Sequence, residues 1–166
     1  MSWEFSLPVK IYFGTDKIQE LPKIISEYGY KRGVLVCSNT LKKNGTAEKI
    51  VENSNGTLVA VFNNIRPNPT TDNVNDCVKV LRENNADFAV ALGGGSPMDC
   101  CKAACAIAKG DDKIESYHTG GKPINADEVI PMFAVATTSG TGSEITNISV
   151  LTDLQKGVKA PKLDGF

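Results

Sequence analysis

The sequence lacks several features that would indicate a function class at once. Its 166 residues include 18 basic and 19 acidic side chains, and the net charge of -1 gives no global attraction to nucleic acid or to an anionic membrane. No apolar run approaches the roughly 20 residues that span a bilayer, and the opening residues lack the basic-then-apolar order of a secretory signal. We therefore expect a cytoplasmic protein with neither nucleic-acid nor membrane partners.

Histidine is nearly absent, and the cysteines show no pairing. The single histidine is His118, in a polar segment, and one imidazole cannot form a metal site by itself. The cysteines are odd in number and have no paired CxxC spacing, which argues against a disulfide framework and against a zinc knuckle. We predict reduced, mostly buried thiols. They are Cys37, Cys77, Cys100, Cys101 and Cys105.

What the sequence does contain is a regular alternation of strand and helix patterns. Hydrophobic residues make up 41% of the chain, enough for the core of one domain over residues 1–166. The alternation predicts an α/β fold with a Rossmann-like parallel sheet and helices on both faces, followed by a short C-terminal β-hairpin that turns at 153–157. Strands are predicted at 9–14, 33–38, 56–65, 86–95 and 130–137, and helices at 15–30, within 40–55, from 72 and from 97. The apolar helix positions are Ile18, Leu21, Ile24 and Ile25, then Val74, Cys77, Val78 and Leu81.

The segment GGGS, residues 93–96, ends a predicted buried strand and precedes a predicted helix. Glycines leave room for a ligand to touch main-chain amides, and the start of a helix adds unpaired N–H groups and a positive dipole end. Such a place attracts phosphate. Ser96 can cap the helix or donate to a phosphate oxygen, and Pro97 stands where its missing N–H costs little. The alternative is a tight turn that merely needs small residues.

A second glycine- and threonine-rich segment, TTSGTGSE at 137–144, follows another apolar strand. It is either a ligand loop or a polar connection in which Thr141 or Ser143 caps a helix. The chain contains neither GxGxxG nor GxxxxGK[ST], so no motif supports an ordinary Rossmann site or an ATP-hydrolysing loop. Two such loops at the carboxyl ends of strands in one sheet predict a nucleotide lying across a crevice.

With these motifs, the sequence resembles the amino-terminal, cofactor-binding domain of the iron-containing (group III) alcohol dehydrogenases. The resemblance implies a dehydroquinate-synthase-like α/β domain that precedes an all-helical domain, which is absent from this chain. It implies NAD or NADP as the cofactor and a small alcohol or aldehyde as the substrate of the full-length enzyme. Apolar surface that the helical domain would cover favours a homo-oligomer. The motifs are Phe13-Gly14, RPNPT at 66–70, GGGSPMDCCKA at 93–103 and TTSGTGSEIT at 137–146.

The same resemblance implies which residues contact the dinucleotide. The pyrophosphate would lie on Gly93, Gly94, Gly95, Ser96, Pro97 and Met98. The adenosine or nicotinamide side would meet Thr137, Thr138 and Thr141. Asn68 would approach the adenine, Lys159 the ribose, and Asp99 would sit near the nicotinamide.

Ser38 marks a departure from the NAD-preferring members of the family. They carry an aspartate after the second strand, which accepts hydrogen bonds from the ribose 2′-hydroxyl, and this chain has Ser38 at the matching place. A carboxylate would repel a 2′-phosphate, whereas a hydroxyl can donate to it. The sequence thus predicts tolerance of, or preference for, NADP(H). The alternative is that Ser38 is only a small residue at a strand end.

The family's metal, Fe²⁺ or Zn²⁺, is held by one aspartate and three histidines, which the resemblance places beyond this sequence. Asp164 does not match the metal aspartate, so no metal ligand and no catalytic residue is assigned. We expect the chain to bind dinucleotide weakly and not to catalyse alone. Two alternatives stay open: a stand-alone dinucleotide-binding or regulatory module without catalysis, and a sugar-phosphate lyase or glycerol-type dehydrogenase built on the same sheet.

Overall fold

A computed structural model describes residues 9–117, 121–154 and 156–160. The predicted alternation of strands and helices is confirmed there. None of the described helices is both long enough and apolar enough to span a membrane. The strands are β1 Gly33–Cys37, β2 Leu58–Phe62, β3 Phe88–Gly93, β4 Met132–Ala136, β5 Leu151–Asp153 and β6 Val158–Ala160. The α-helices are α1 Leu21–Glu27, α2 Asn39–Lys43, α3 Thr46–Glu52, α4 Thr71–Glu83 and α5 Gly95–Ile107, and short 3₁₀ turns occur at Lys17–Glu20, Ile114–Tyr117 and Ala126–Glu128.

The first four strands form one parallel sheet in the order β2-β1-β3-β4. Every residue of β1 and β3 is buried, as expected of inner strands covered on both faces. Alternate side chains of these strands point to opposite faces. Val34 and Ala89 belong to the core packed by α4 and α5, while Leu35 and Val90 belong to the core packed by α1 and α3. The prediction of helices on both faces is therefore confirmed.

Helix α4 forms as its sequence predicts. Its predicted apolar positions are all buried. The Thr70 hydroxyl accepts the N–H of Asn73 at 3.2 Å, and the Asn73 side chain accepts the N–H of Thr70 at 3.2 Å. This reciprocal capping box satisfies donors that the first turn would leave free. Thr70 is therefore the N-cap of α4.

The predictions for the amino-terminal segment are partly wrong. Residues 9–14 form no strand, because no described strand pairs with them; Ile11 is 60% exposed and Phe13 is 95% exposed. The helix predicted at 15–30 is only Leu21–Glu27, since Pro22 lacks an N–H to donate backwards and Gly29, at φ +78°, ends it. Ile18 consequently lies outside the helix and is 40% exposed. Residues 40–55 contain two short helices instead of one.

The predicted C-terminal hairpin is confirmed. Strands β5 and β6 pair antiparallel, with Thr152 opposite Lys159. The hairpin docks on the loop before α4, where the Thr152 N–H donates to the Pro69 carbonyl at 2.8 Å. It therefore lies beside the RPNPT segment.

Candidate functional site

The sheet has a topological switch point between β1 and β3. The chain passes from β1 to β2 on one side and then returns to place β3 on the other side of β1. In register, Cys37 faces Leu92, so Ser38 and the turn at Gly93 follow from adjacent strand ends. Ligands of open α/β sheets bind in the crevice at such a point.

The glycine turn, residues 93–96, is shaped by contacts that only glycine permits. Gly93 has φ +142°, and a Cβ there would lie 2.8 Å from Pro97 Cγ. Gly94 has the ordinary φ of -95°, yet a Cβ there would lie 2.7 Å from Thr138 Oγ1. Gly94 is the N-cap of α5, and the helix has no side-chain cap. The first N–H groups of this 13-residue helix therefore have no hydrogen-bond acceptor within the helix or from a capping side chain.

The threonine loop, residues 137–150, lies against the glycine turn as the sequence predicts for two loops of one crevice. The Thr137 N–H donates to the Gly93 carbonyl at 3.0 Å, continuing the pairing of β3 with β4. Thr138 lies next to Gly94, and the Thr141 methyl would be 3.6 Å from a Cβ at Gly95. The Thr138 and Thr141 side chains are exposed.

The RPNPT loop, residues 66–70, also contacts the glycine turn. The Asn68 N–H donates to Ser96 Oγ at 3.3 Å, and Asn68 has the left-handed φ of +57°. Asparagine tolerates this conformation better than most residues. The structure therefore brings the glycine turn, the threonine loop and Asn68 together.

Asp99 lies near the start of α5 and accepts hydrogen bonds from the threonine loop. Its carboxylate accepts the Ser143 hydroxyl and, at 3.1 Å, the Val150 N–H, while its carbonyl accepts the Ser149 hydroxyl at 2.6 Å. Lys102 Nζ stands 3.4 Å from Asp99 Oδ1. Sequence reasoning missed Lys102 and Ser149 as parts of this site, and it considered Ser143 only as a residue of the loop or as a helix cap. The available signal was a lysine in the Ala/Cys-rich run CCKAACA, one turn after an aspartate.

Ser38 caps helix α2. Its Oγ accepts the Leu41 N–H at 3.4 Å. The hydroxyl hydrogen is not used by that bond, so Ser38 can still donate to a ligand. The neighbouring Asn39 accepts from Asn63 at 3.2 Å, and this strand end carries no carboxylate within residues 38–41.

The remaining candidates are less directly displayed. The Met98 side chain is fully buried in the α4–α5 core, and the Met98 N–H donates to the Gly94 carbonyl at 3.4 Å. Pro97 is buried beside Gly93. Lys159 pairs with Thr152 through its backbone, but its side chain lies outside what the structure describes. Their assigned roles stay predictions.

The described residues do not fit the family's metal. Within 9–117, 121–154 and 156–160, no three His, Cys, Asp or Glu side chains come together as a metal site would require. His118 and Asp164 lie outside the described residues. No step through a metal is therefore assigned to this chain.

All five cysteines are free and buried, as predicted. Burial raises the pKa of the Cys37 thiol to about 11. A hydrogen bond to Cys100, together with burial, raises the pKa of Cys77 well above its usual value. Thiols in this state are poor nucleophiles and serve as packing groups.

Comparison with known proteins identifies relatives of this chain. The family described as iron-containing alcohol dehydrogenase matches residues 8–164. The NAD-dependent methanol dehydrogenase of Bacillus methanolicus is 32% identical over 164 residues, covering 96% of this chain and 42% of that protein. The NADH-dependent butanol dehydrogenase A of Clostridium acetobutylicum is 29% identical, covering 96% of this chain and 41% of that protein.

Solved structures agree in fold. A sulfoacetaldehyde reductase from Bifidobacterium kashiwanohense in complex with NAD+ superposes with a TM-score of 0.92 at 39% identity, covering 97% of this chain and 43% of that one. The NADH-dependent butanol dehydrogenase A of Thermotoga maritima gives 0.87 at 26% identity, covering 96% and 40%. This sequence thus spans less than half of each relative. From the family match and these superpositions together, the chain belongs to the iron-containing alcohol dehydrogenase family.

Proposed function

We propose that this chain binds a nicotinamide dinucleotide and forms the coenzyme-binding portion of a metal-dependent alcohol dehydrogenase. The substrate of the complete enzyme is a small alcohol or aldehyde. One observation carries the proposal: the loops that follow the neighbouring strands β3 and β4 meet over a helix start that has no side-chain cap, beside the switch point. A diphosphate supplies the acceptors that this arrangement lacks.

The glycine turn holds the pyrophosphate in this proposal. The amides of Gly94, Gly95 and Ser96 donate to its oxygens, and the absent side chains let it approach the backbone. Ser96 Oγ already accepts from Asn68, which leaves its hydroxyl hydrogen for a phosphate oxygen. Gly94 lets the two loops pack closely, because a Cβ there would lie 2.7 Å from Thr138 Oγ1.

The remaining residues orient the two nucleosides. Thr137, Thr138 and Thr141 face the adenosine or nicotinamide side, Asn68 the adenine, and Lys159 a ribose. Asp99 lies near the nicotinamide, although its carboxylate is already engaged by Ser143 and Val150. Pro97 and Met98 support the turn from the core side.

The chemistry divides between the chain and groups that it does not carry. The nicotinamide ring carries the hydride when bound, and the protein contributes binding and orientation. The described residues supply no metal ligands, so the chain alone binds coenzyme without turnover. The metal of the complete enzyme is Fe²⁺ or Zn²⁺.

NADP(H) is accepted in this proposal. Ser38 ends β1 at the switch point, and its hydroxyl can donate to a 2′-phosphate while it caps α2. The relatives named above act with NAD or NADH, so acceptance of the phosphorylated coenzyme would distinguish this chain from them.

Isothermal titration calorimetry with NAD⁺, NADP⁺ and ADP-ribose tests the proposal. Saturable heat with all three, and no alcohol oxidation by the chain alone, is the expected result. Absence of heat with every one of them contradicts the proposal. Tight binding by a chain that proves complete in its source gene would instead favour a stand-alone binding module.

We further propose that the chain self-associates in the cytoplasm. Ile11 and Phe13 expose large apolar side chains in a segment without a described partner strand, which favours association. The five free thiols suit a reducing compartment. Size-exclusion chromatography at rising concentration should show oligomers, and a monomeric profile throughout would contradict association.

A further inference from the structure

Lys102 is a buried cation in an apolar helix. Its side chain is 5% exposed, and its neighbours in α5 are Cys100, Cys101, Ala103 and Ala104, all buried. An ammonium group in such a place is costly unless it is paired and hydrogen-bonded.

Besides its pairing with Asp99, Lys102 donates hydrogen bonds to the threonine loop. Its Nζ donates to the Thr146 carbonyl and to the Thr146 hydroxyl, each at 3.2 Å, and also to the Ile148 carbonyl. These acceptors lie 44 and 46 residues away in sequence. Lys102 therefore joins α5 to a distant segment.

Asp99, one turn earlier on α5, holds the same loop near its middle and near its end. Its carboxylate accepts the Ser143 hydroxyl and the Val150 N–H. Its carbonyl accepts the Ser149 hydroxyl. The Lys102–Asp99 pair is thus bonded to the loop near its middle and near its end.

This pair is connected to the cleft through short steps. Ser143, which donates to Asp99, uses its N–H to donate to Thr141 Oγ1 at 3.3 Å. The methyl group of Thr141 lies beside Gly95 of the glycine turn. A shift of the loop at Ser143 would therefore move the threonine that borders the cleft.

Stability alone does not account for this arrangement. Burial lowers the pKa of Lys102 below the ordinary 10.5, and the favourable charges of Asp99 and Glu144 only partly offset it. A lowered lysine pKa means that the buried charged form costs folding free energy at neutral pH. The ammonium group donates three hydrogen bonds to the threonine loop, which an apolar side chain could not make.

We propose that Lys102 is a positioning residue, which acts with Asp99 to hold the threonine loop over the glycine turn in the absence of ligand. This inference rests on the proposed coenzyme site. A loop held in place before binding removes an ordering cost that the ligand would otherwise bear. We call the bonds of Lys102 and Asp99 to the threonine loop the clamp. Loss of the clamp should weaken coenzyme binding without removing any atom that touches the coenzyme.

Hydrogen exchange of the ligand-free chain tests the clamp directly. Lys102→Met keeps an unbranched side chain and removes the donors. We expect the amides of 143–150 to exchange at least about tenfold faster in this variant, while those of β1 and β3 keep their rates. Loop amides that exchange at the rate of the unchanged chain would overturn the proposal.

Arg82→Met is the matched control. Arg82 donates to the carbonyls of Ile107, Ala108 and Gly110, so it holds three acceptors at the opposite end of the same helix. We expect Lys102→Met to raise the Kd for NAD⁺ at least about tenfold and Arg82→Met to leave it within about twofold, at equal folded fraction. Equal weakening by both variants would reduce Lys102 to a structural role and overturn the proposal.

The pH dependence of the Kd gives a third readout. The groups facing Lys102 are Asp99 and Cys101 of α5 and Glu144 of the loop. Hydrogen bonding to Cys105, together with burial, raises the pKa of the Cys101 thiol well above its usual value. As the pH rises toward 10.5, Lys102 loses its proton, so binding by the unchanged chain should weaken while that of Lys102→Met stays flat.

These experiments distinguish an error in the proposed coenzyme site from an error in the proposed role of Lys102. If the unchanged chain does not bind NAD⁺ at all, the proposed coenzyme site is wrong, and loop exchange alone decides on the clamp. An alkaline loss of binding that persists in Lys102→Met overturns the role of Lys102 while the coenzyme site stands.

Discussion

Helices α4 and α5 pack against each other, and each has 13 residues, yet they begin in opposite ways. The start of α4 is closed by a capping box between Thr70 and Asn73. The start of α5 has Gly94 as its N-cap and no side-chain cap. Helices α1 and α3 also start without a side-chain cap, so the open start alone does not mark a site. The open start of α5 differs because it lies at the switch point of the sheet, where an external acceptor can bind.

The largest effect on coenzyme affinity should come from a substitution that obstructs the uncapped start of α5. Gly94→Val places a Cβ 2.7 Å from Thr138 Oγ1, so the threonine loop must move away from the glycine turn. The backbone at Gly94 has φ -95°, so the substitution adds no positive-φ strain, but Thr138 must shift to admit the Cβ, and affinity is therefore compared at equal folded fraction. We expect NAD⁺ affinity to fall at least about 100-fold in calorimetry.

Gly110→Ala provides the control for that change. Gly110 follows the other end of α5, and a Cβ there would lie 3.3 Å from the Tyr117 hydroxyl. Affinity should be unchanged in this variant. Full NAD⁺ binding by Gly94→Val would place the ligand elsewhere.

At the capped start of α4, a substitution should lower the stability of the fold and leave coenzyme affinity unchanged. Thr70→Val removes the hydroxyl that accepts the Asn73 N–H, and the loss of such a cap costs about 1 kcal/mol of unfolding free energy. Urea denaturation measures this loss. Thr40→Val, at an exposed position of α2, makes the same chemical change without a cap and should cost less.

Coenzyme affinity separates the two helix starts further. Thr70→Val should leave the Kd within about twofold, because its hydroxyl belongs to the fold and not to the open helix start. A loss of affinity as large as that of Gly94→Val would remove the contrast between α4 and α5.

A smaller effect is expected at the third helix start, where Ser38 caps α2. Asp is as good an N-cap as Ser, so Ser38→Asp keeps the helix and adds only a charge. We expect the ratio of the Kd for NADP⁺ to that for NAD⁺ to rise about tenfold, since the carboxylate repels a 2′-phosphate.

Ser38→Asn is the matched control for charge. Asparagine also caps helices and has nearly the size of aspartate, but it is neutral. Its coenzyme ratio should stay close to that of the unchanged chain. Equal ratios in the aspartate and asparagine variants would show that Ser38 is only a cap.

The smallest effect should be that of thiol alkylation. Cys37 has its pKa raised to about 11 by burial, so it is almost wholly protonated at pH 8. Iodoacetamide should leave the native chain unmodified by mass spectrometry and its NAD⁺ affinity unchanged, while the urea-unfolded chain takes up five groups. Rapid labelling of the native chain would contradict the packing role.

Local sequence signals predicted the fold where several of them agreed. Helix α4 has an apolar stripe, a threonine cap and a preceding proline-rich segment, and all of these point to one start and one buried face. The buried strands β1 and β3 were marked by uninterrupted apolar runs. Residues 9–14 had only β-branched composition in their favour, and strand formation also needs a partner, which composition does not provide.

The candidate site was predictable as two loops but not as a connected structure. The glycine turn and the threonine loop could be identified because glycine and hydroxyl residues follow apolar strands. That Thr138 faces Gly94 could not, since it depends on the order of strands in the sheet. The bonds of Lys102 join residues more than 40 positions apart, and no local pattern encodes such a pairing.

Amide NMR of the ¹⁵N-labelled chain, titrated with NAD⁺, tests most directly whether the diphosphate lies on the start of α5. The account predicts the largest shifts at Gly94, Gly95 and Ser96, with smaller ones at Thr138 and Thr141. Shifts confined to the groove of about 750 Å³ that Pro22, Lys23 and Asn53 help to line, with the glycine turn unmoved, would contradict it.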